Sequence, residues 1–220
     1  MYDLLLFDFD GVLFDTNQLK TKAFALALSD YPESKVSQLV QYHKDNGGIS
    51  RQLKMQYFFE QIMQLPDSGD EQEQAVERFT EHCQALLPTA SLLPGAADFL
   101  RTAKSIGVPL AICSGGNTDE IRKLLKRESL ESLFIEIWGN EQSKIEHAER
   151  HVKPHFHHVC FFGDSQYDME VAEQFGFDFC FLYGVTEWLE GENIAEYNGH
   201  VVVRGFEELV LNSYGKIEKR

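Results

Sequence analysis

The sequence has few positive charges relative to its negative ones. Its 220 residues include 20 Lys and Arg against 35 Asp and Glu, which gives a formal net charge of −15. A protein this acidic repels the phosphate backbone of nucleic acids and anionic lipid surfaces. We therefore expect neither a nucleic-acid nor a membrane partner. A phosphorylated substrate would need bound cations to overcome this overall charge.

Long apolar segments and cysteine pairs are also missing. No apolar run approaches the ~20 residues that are needed to span a bilayer. The four cysteines form neither a CxxC pair nor a zinc spacing with histidine, and three of them lie in apolar, strand-like runs. This is typical of reduced cysteines in a core. Met1 leads into the first apolar run without the basic segment and cleavage site of a signal peptide, so we expect a cytoplasmic protein.

The apolar patterns divide the chain into two kinds of segment. Residues 16–91 contain four stretches with helical spacing and no clear strand pattern. Residues 92–220 alternate between helical and strand-like patterns, which predicts a parallel sheet with helices on both faces. We expect an α/β protein with a doubly wound, Rossmann-like sheet. Its core domain would comprise residues 1–15 and 92–220, and an all-helical domain would be inserted at 16–91.

The later strands and the chain end are predicted from the same patterns. Strands are expected at 108–113, 134–138, 159–162, 177–182 and 200–203. A last helix is predicted at 206–211. The charged tail at 216–220 is expected to fray.

The first apolar run ends in two carboxylates, Asp8 and Asp10, and Gly11 follows at once. Side chains alternate along a strand, so both carboxylates lean to the same side, where they repel each other. A cation between them, or a proton that they share during a reaction, would explain the pair. Asp before Gly is also ordinary turn chemistry at a strand end, so the motif needs partners elsewhere in the chain.

Two later strands also end in polar residues. Ser114 follows one strand and leads through Gly115 into a helix, which is a suitable turn for binding an anion. Asp164 follows another strand, with Asp168 four residues on. Ligands of parallel sheets bind beyond the carboxyl ends of the strands, so we expect these groups to converge there. Several carboxylates at one place suit Mg²⁺, which prefers oxygen ligands.

Three further groups of basic residues allow alternative interpretations. Lys144, before the Asp164 strand, is the first choice for binding phosphate, and Lys153 in the same connection is its competitor. Arg51 either reaches over the site to bind an anionic part of the substrate or is a solvated helix residue. Five histidines within 147–158 are irregularly spaced, which indicates a solvated face rather than a metal site.

Four of these motifs together resemble the haloacid dehalogenase (HAD) superfamily. They are DxDG-V at 8–12, the serine motif at 112–116, the lysine at 144 and GDxxxD at 163–168. The resemblance covers 1–15 and 92–220. It is closest to the subgroup with a helical cap after the first strand, which includes phosphoglycolate phosphatase-like and β-phosphoglucomutase-like proteins.

The resemblance implies catalytic roles for the matching residues. Asp8 would be the nucleophile that accepts the phosphoryl group as an aspartyl phosphate. Asp10 would protonate the leaving oxygen and then deprotonate the attacking water. The phosphoryl oxygens would be held by Ser114, the Gly115 amide and Lys144.

The resemblance also implies a cofactor and a reaction. Asp8, the main-chain carbonyl of Asp10, and Asp164 would hold Mg²⁺, with Asp168 supporting them from behind. We expect a Mg²⁺-dependent phosphatase, monomeric or homodimeric, that acts on a small phosphorylated metabolite. A sugar phosphomutase is the first alternative, although Lys20 stands where such mutases commonly carry a histidine. A non-catalytic binding module is the second, and the complete motif set argues against it.

Overall fold

A six-stranded parallel sheet forms the centre of the protein. The computed structural model describes residues 1–212 and 215–220. The strands are β1 (Leu4–Phe7), β2 (Leu110–Cys113), β3 (Glu136–Trp138), β4 (Val159–Gly163), β5 (Asp178–Leu182) and β6 (Val201–Val203). Their order across the sheet is β3-β2-β1-β4-β5-β6, and each neighbouring pair is parallel. This arrangement confirms the predicted fold class. It places β1 between β2 and β4, at the point where the strand order reverses.

The segment between β1 and β2 is helical through most of its length. Its first four helices are α1 (Asn17–Ala27), α2 (Glu33–Asp45), α3 (Arg51–Tyr57) and α4 (Gly69–Leu86). A π-helical turn at Phe58–Ile62 continues α3. The helices pack through buried aromatic rings, and the ring centroids of Phe24 and Phe79 lie 4.1 Å apart. The division of the chain into domains at 16 and 91 stays a prediction.

Five more helices flank the sheet. They are α5 (Ala96–Ser105), α6 (Thr118–Arg127), α7 (Lys144–His147), α8 (Gln166–Phe175) and α9 (Gly191–Tyr197). All four side chains of β1 are buried, as expected for a strand that is covered on both faces. Leu5 and Phe7 join one apolar cluster, whereas Leu4 and Leu6 join another. The first cluster continues into α1–α4, so the inserted helices share part of their core with the sheet.

The end of the chain differs from the prediction. The helix predicted at 206–211 is wrong, because Phe206–Glu208 is a 3₁₀ turn and Leu209–Leu211 is a strand, β7. The tail does not simply fray, since Ile217–Lys219 forms β8 and pairs antiparallel with β7. The side chains of β7 alternate between buried and exposed, but a run this short does not separate helix from strand by its pattern. Among the described residues, no helix combines the length and the apolar composition that crossing a bilayer requires.

Candidate active site

The carboxyl ends of β1, β2 and β4 meet at one edge of the sheet, and a buried polar residue follows or ends each of them. Asp8, Ser114 and Asp164 are 2%, 0% and 5% exposed, respectively. Asp8, Asp10, Gly115 and Asp164 line a cavity of about 50 Å³ beneath the inserted helices. The structure therefore brings together groups that lie more than a hundred residues apart in the sequence.

Three carboxylates form a compact buried cluster. Oxygen atoms of Asp8, Asp164 and Asp168 all lie within 4.8 Å of one another. Burial and the neighbouring Asp8 raise the pKa of Asp164 well above its usual value. Burial also raises the pKa of Asp8 to about 6, against the opposing effect of Lys144. The cluster carries more negative charge than one lysine neutralises, and its oxygen ligands fit a hard divalent cation.

Lys144 lies inside this cluster. Its Nζ is 2.9 Å from Asp8 Oδ2 and 2.5 Å from Asp168 Oδ1, and the residue is 1% exposed. Burial lowers the pKa of Lys144, but Asp168 and Asp8 outweigh this effect and raise it. Lys153 is exposed and donates to the Phe175 carbonyl instead. Of the two candidate lysines, the structure places Lys144 at the carboxylates.

The oxygens of Asp168 are occupied by donors from the protein. Oδ1 accepts from Lys144, while Oδ2 accepts from the Ser165 hydroxyl at 2.6 Å and from the Ser165 amide at 3.2 Å. A capping box between Ser165 and Asp168 starts α8 and fixes this arrangement. Among the described residues, Asp164 has a single such donor, Asn17 at 2.7 Å from Oδ2, and therefore offers a more available oxygen for a cation than Asp168 does.

Asp10 lies in a different environment from Asp8. Its Oδ1 accepts from the Thr16 hydroxyl at 2.6 Å, and its Oδ2 lies 2.5 Å from Lys20 Nζ. Burial raises the pKa of Asp10, but Lys20 and Thr16 reverse this effect and lower it. Thr16 is a site residue that the sequence analysis missed. The signal for it was the spacing of four residues to Lys20, which places both on one helical face.

Gly11 is required at its position for two reasons. Its φ is +72°, in the left-handed region that glycine adopts without strain. A Cβ atom at this position would lie 2.0 Å from Asp164 Oδ2. The glycine of the DxDG motif therefore lets the two acidic strand ends approach each other.

The loop between α2 and α3 covers the carboxylate cluster with its main chain. A Cβ atom on Gly115 would lie 2.3 Å from the Gly48 carbonyl oxygen. A Cβ atom on Gly48, whose φ is +79°, would lie 3.1 Å from Lys144 Nζ. Ser50 is the N-cap of α3, and its side chain accepts from the Leu53 amide. The inserted helices thus reach the sheet edge directly.

Arg51 lines the same cavity, but its guanidinium is engaged. It is 5% exposed, so the alternative of a solvated helix residue is wrong. Its two terminal nitrogens donate to Glu120 at 2.9 and 2.5 Å, and one also donates to Thr80. The ring of Phe79 stacks against it at 4.8 Å. Substrate binding by Arg51 stays a prediction.

The cavity residues that were not predicted include His43 of α2 and Lys54 of α3. Both are buried, and Lys54 Nζ lies 2.6 Å from His43 Nδ1. Burial and nearby positive charges lower the pKa of Lys54 to about 7 and lower that of His43 well below its usual value. Neither residue belongs to a sequence motif, and their contact depends on how α2 and α3 pack.

The five histidines within 147–158 differ in exposure. His151 is exposed, and so are the three histidines at 155, 157 and 158, as predicted. His147 is 4% exposed, so the prediction of a solvated face is wrong for this residue. Its Nε2 lies 2.9 Å from the Gly139 carbonyl, and its ring stacks on Trp138, which accounts for its burial.

Comparison with known proteins identifies the family. Residues 2–176 match the haloacid dehalogenase-like hydrolases. A predicted phosphatase from Clostridium acetobutylicum shares the fold with a TM-score of 0.74 at 19% identity, over 94% of this chain and 96% of that one. A β-phosphoglucomutase from Clostridium difficile has a TM-score of 0.73 at 18% identity, over 96% and 94% of the two chains. A predicted phosphoglycolate phosphatase from Haemophilus somnus has a TM-score of 0.63 at 20% identity, over 83% and 85%.

These three structures support the fold. The family match covers most of the chain, including the ends of β1, β2, β3 and β4. The match therefore extends over the residues that converge at the sheet edge. The chain belongs to the haloacid dehalogenase-like hydrolases, and it is an enzyme.

Proposed function

We propose that the protein is a Mg²⁺-dependent phosphatase that hydrolyses a small phosphorylated metabolite through an aspartyl phosphate on Asp8. The observation that carries this proposal is the convergence of Asp8, Asp164 and Lys144 at one sheet edge, with Lys144 Nζ 2.9 Å from Asp8 Oδ2. Asp10 lies in a different environment, where it contacts Thr16 and Lys20. Carboxylates in unlike environments can divide nucleophilic and proton-transfer roles between them.

Asp8 and Asp10 divide the reaction between them. A carboxylate oxygen of Asp8 attacks phosphorus, and the bond from phosphorus to the leaving oxygen breaks as Asp10 donates a proton to that oxygen. A water molecule then attacks the aspartyl phosphate, Asp10 accepts its proton, and Asp8 is released with inorganic phosphate. The ion pair with Lys20 stabilises the ionised form of Asp10. Negative charge on an incoming phosphoryl group favours the protonated form that the first step needs.

The phosphoryl oxygens would be bound at the turn after β2. The Gly115 amide, the Ser114 hydroxyl and Lys144 are the donors that we assign to this task. The Ser114 oxygen accepts from the Gly116 amide at 3.1 Å, which leaves the hydroxyl hydrogen available to a phosphoryl oxygen. Lys144 would contribute a fixed positive charge, because Asp8 and Asp168 hold it in place.

The donor set fits the cofactor. Asp8, Asp164 and the main-chain carbonyl of Asp10 would hold Mg²⁺, and Asp168 would support them by orienting Lys144 and the start of α8. When bound, the ion would offset the charge of the phosphoryl group and of the carboxylates. The raised pKa of Asp164 supports this assignment, since the protein alone leaves negative charge at this carboxyl poorly compensated.

A sugar phosphomutase is the second candidate. The observation in its favour is the shared fold with a β-phosphoglucomutase over 96% of this chain. In that reaction the aspartyl phosphate would pass to a sugar hydroxyl instead of water. Lys20, rather than a histidine, contacts Asp10 here, and this favours the phosphatase. A non-catalytic role is disfavoured because the motif residues lie together at one sheet edge, where Asp8, Asp10, Gly115 and Asp164 line one cavity.

Phosphate release from p-nitrophenyl phosphate tests the proposal. We expect turnover with Mg²⁺, its loss in excess EDTA, and a decrease of at least about 10³-fold in Asp8→Asn, because this change removes the nucleophile. Asp15→Asn is the matched control, since Asp15 is exposed, and it should stay within about twofold of the original rate. No release by the unsubstituted enzyme, or equal release by Asp8→Asn, contradicts the phosphatase. Isomerisation of a sugar phosphate that requires a sugar bisphosphate favours the mutase.

A further inference from the structure

The cavity above Asp8 has a second polar surface that the proposed phosphoryl chemistry leaves unused. It consists of His43 and Lys54, which line the same cavity as Asp8 and Asp10. His43 is 8% exposed and Lys54 is 2% exposed. Both come from the inserted helices, His43 from α2 and Lys54 from α3. We call this pair the His43–Lys54 subsite.

The hydrogen bond between Lys54 and His43 determines which nitrogen of His43 carries its hydrogen. A protonated lysine only donates, so Lys54 Nζ donates to His43 Nδ1 at 2.6 Å. A neutral imidazole with Nδ1 accepting carries its hydrogen on Nε2. Within residues 1–212 and 215–220, His43 Nε2 is buried without a hydrogen-bond partner. The pair therefore leaves a buried N–H group unsatisfied, which is costly unless a ligand supplies an acceptor.

The charge on Lys54 is also less well compensated than its neighbours' charges. Three other cations near the cavity lie beside acids: Lys20 beside Asp10, Arg51 beside Glu120, and Lys144 beside Asp8. Lys54 instead contacts the ring and, at 3.5 Å, the main-chain carbonyl of His43. Burial, reinforced by Lys20 and opposed by Asp10 and Glu187, lowers its pKa to about 7. Within the described part of the chain, Lys54 forms no ion pair with a carboxylate.

Glu187 is the acid beside His43, and its geometry leaves the subsite open. Its Oε2 lies 3.9 Å from His43 Nε2, which is beyond hydrogen-bond distance. Both of its oxygens accept from the Thr21 hydroxyl, at 2.9 and 2.8 Å, and this holds the carboxylate in place. A ligand oxygen closer to His43 Nε2 would therefore not compete with an existing hydrogen bond.

We propose that Lys54 and His43 bind a carboxylate on the leaving-group side of the substrate. This inference rests on the proposed phosphatase function and narrows its substrates to short phosphorylated carboxylic acids. One carboxylate has two acceptor oxygens, which match the ammonium of Lys54 and the Nε2–H of His43. A phosphate dianion has more acceptor oxygens than these two donors satisfy, and a neutral sugar ring would leave the charge of Lys54 uncompensated, so a carboxylate is favoured over both.

The test compares two phosphoesters that differ only in this carboxylate. Phospholactate carries it, and phospholactamide replaces it with a neutral amide of the same shape. We expect the enzyme to prefer phospholactate in kcat/KM by about tenfold or more, as charge-assisted hydrogen bonds typically provide. In Lys54→Met this ratio should fall to below about threefold. Lys22→Met is the matched control, because it removes the same charge from an exposed position on α1 and should keep the full ratio.

The outcomes separate this inference from the proposed phosphatase. Turnover of p-nitrophenyl phosphate with equal kcat/KM for the two probes overturns the subsite and leaves the phosphatase in place. If Lys54→Met keeps the full preference for phospholactate over phospholactamide, the subsite is also overturned. Circular dichroism shows whether Lys54→Met folds. If it does not, the kcat/KM ratio of the two probes is measured in His43→Phe instead. This change removes the Nε2–H and keeps a ring that can pack against Phe24. Titration of both probes into Asp8→Asn gives the ratio of dissociation constants even if no turnover occurs, and a ratio near one overturns the subsite.

Discussion

The two sides of the cavity are built differently. The carboxylate floor, which consists of Asp8, Asp164, Asp168 and Lys144, lies just beyond strand ends or at helix starts that pack on the sheet. The helical roof, which consists of His43, Arg51 and Lys54, depends on contacts between side chains of separate helices. The floor is held by the main-chain hydrogen bonds of the sheet, and the roof by packing. A reaction centre needs fixed atoms, whereas a specificity surface can differ between relatives without moving them.

The charges of the floor and the roof are also opposite in sign. Among the described residues, three buried carboxylates surround Lys144 in the floor, whereas the roof holds Arg51 paired with Glu120 and Lys54 beside an imidazole. A cation bound at the floor and an anionic group of the substrate bound at the roof would compensate the charges of both sides. This difference implies that substitutions in the floor affect stability and chemistry together, whereas those in the roof affect selectivity more strongly.

The largest expected effect distinguishes Lys144 from Lys153. Lys144→Met leaves Asp8 and Asp168 buried without their cation, so we expect it to lower the free energy of unfolding by about 3–5 kcal/mol. Lys153→Met removes an exposed lysine and should change it by less than about 0.5 kcal/mol. Urea unfolding in the presence of EDTA measures both. Equal effects of the two changes would contradict the assignment of Lys144 to the floor.

The sequence predicts the floor well for a physical reason. Asp8 ends an apolar run and Asp164 follows one, so their positions at the edge of a parallel sheet follow from the strand pattern alone. Lys144 is less certain from the sequence, because its placement also depends on the path of the chain from β3 to β4. In the structure, Lys144 contacts Asp8, whereas Lys153 lies at the surface.

The roof is much harder to predict from the sequence. Arg51 pairs with Glu120, which lies 69 residues away on α6, so no local spacing reveals the contact. His43 and Lys54 are eleven residues apart on two helices that a loop reverses. The helix predicted at 206–211 is wrong for a similar reason, because its strand is defined by pairing with residues 217–219. Long-range partners decide each of these cases.

A second, smaller effect tests whether Arg51 is structural or contacts the substrate. Arg51→Met leaves the Glu120 carboxylate buried without its cation, so we expect a loss of about 2–3 kcal/mol in the free energy of unfolding. The double change Arg51→Met/Glu120→Met should cost less than the sum of the two single changes, because it removes both charges. If Arg51 is structural, the preference for phospholactate over phospholactamide persists in the double variant. Loss of that preference would instead show that Arg51 binds the carboxylate.

The smallest expected effect is a pH dependence of the free energy of unfolding that Lys54 causes. The pKa of Lys54 is about 7 in the folded protein, against about 10.4 in an unfolded chain. Between these values the unfolded chain binds more protons at this site than the folded protein does, so the free energy of unfolding rises with pH. From pH 7 to 8 we expect a rise of about 1 kcal/mol relative to Lys54→Met.

Urea unfolding of both proteins at pH 7 and pH 8 measures this difference. The charged groups that act on Lys54 include Lys20, Asp10, Glu187 and Lys144, and Lys54→Met leaves them all in place. The neighbouring His43 has a pKa well below its usual value, so in the folded protein it stays neutral throughout this range. Lys22→Met should follow the unsubstituted protein. A saturating carboxylate ligand should reduce the rise, because a negative charge beside Lys54 raises its pKa towards the unfolded value. A pH dependence that is the same in Lys54→Met would show that Lys54 is not the group that titrates, and the roof would then lack the uncompensated cation that distinguishes it from the floor.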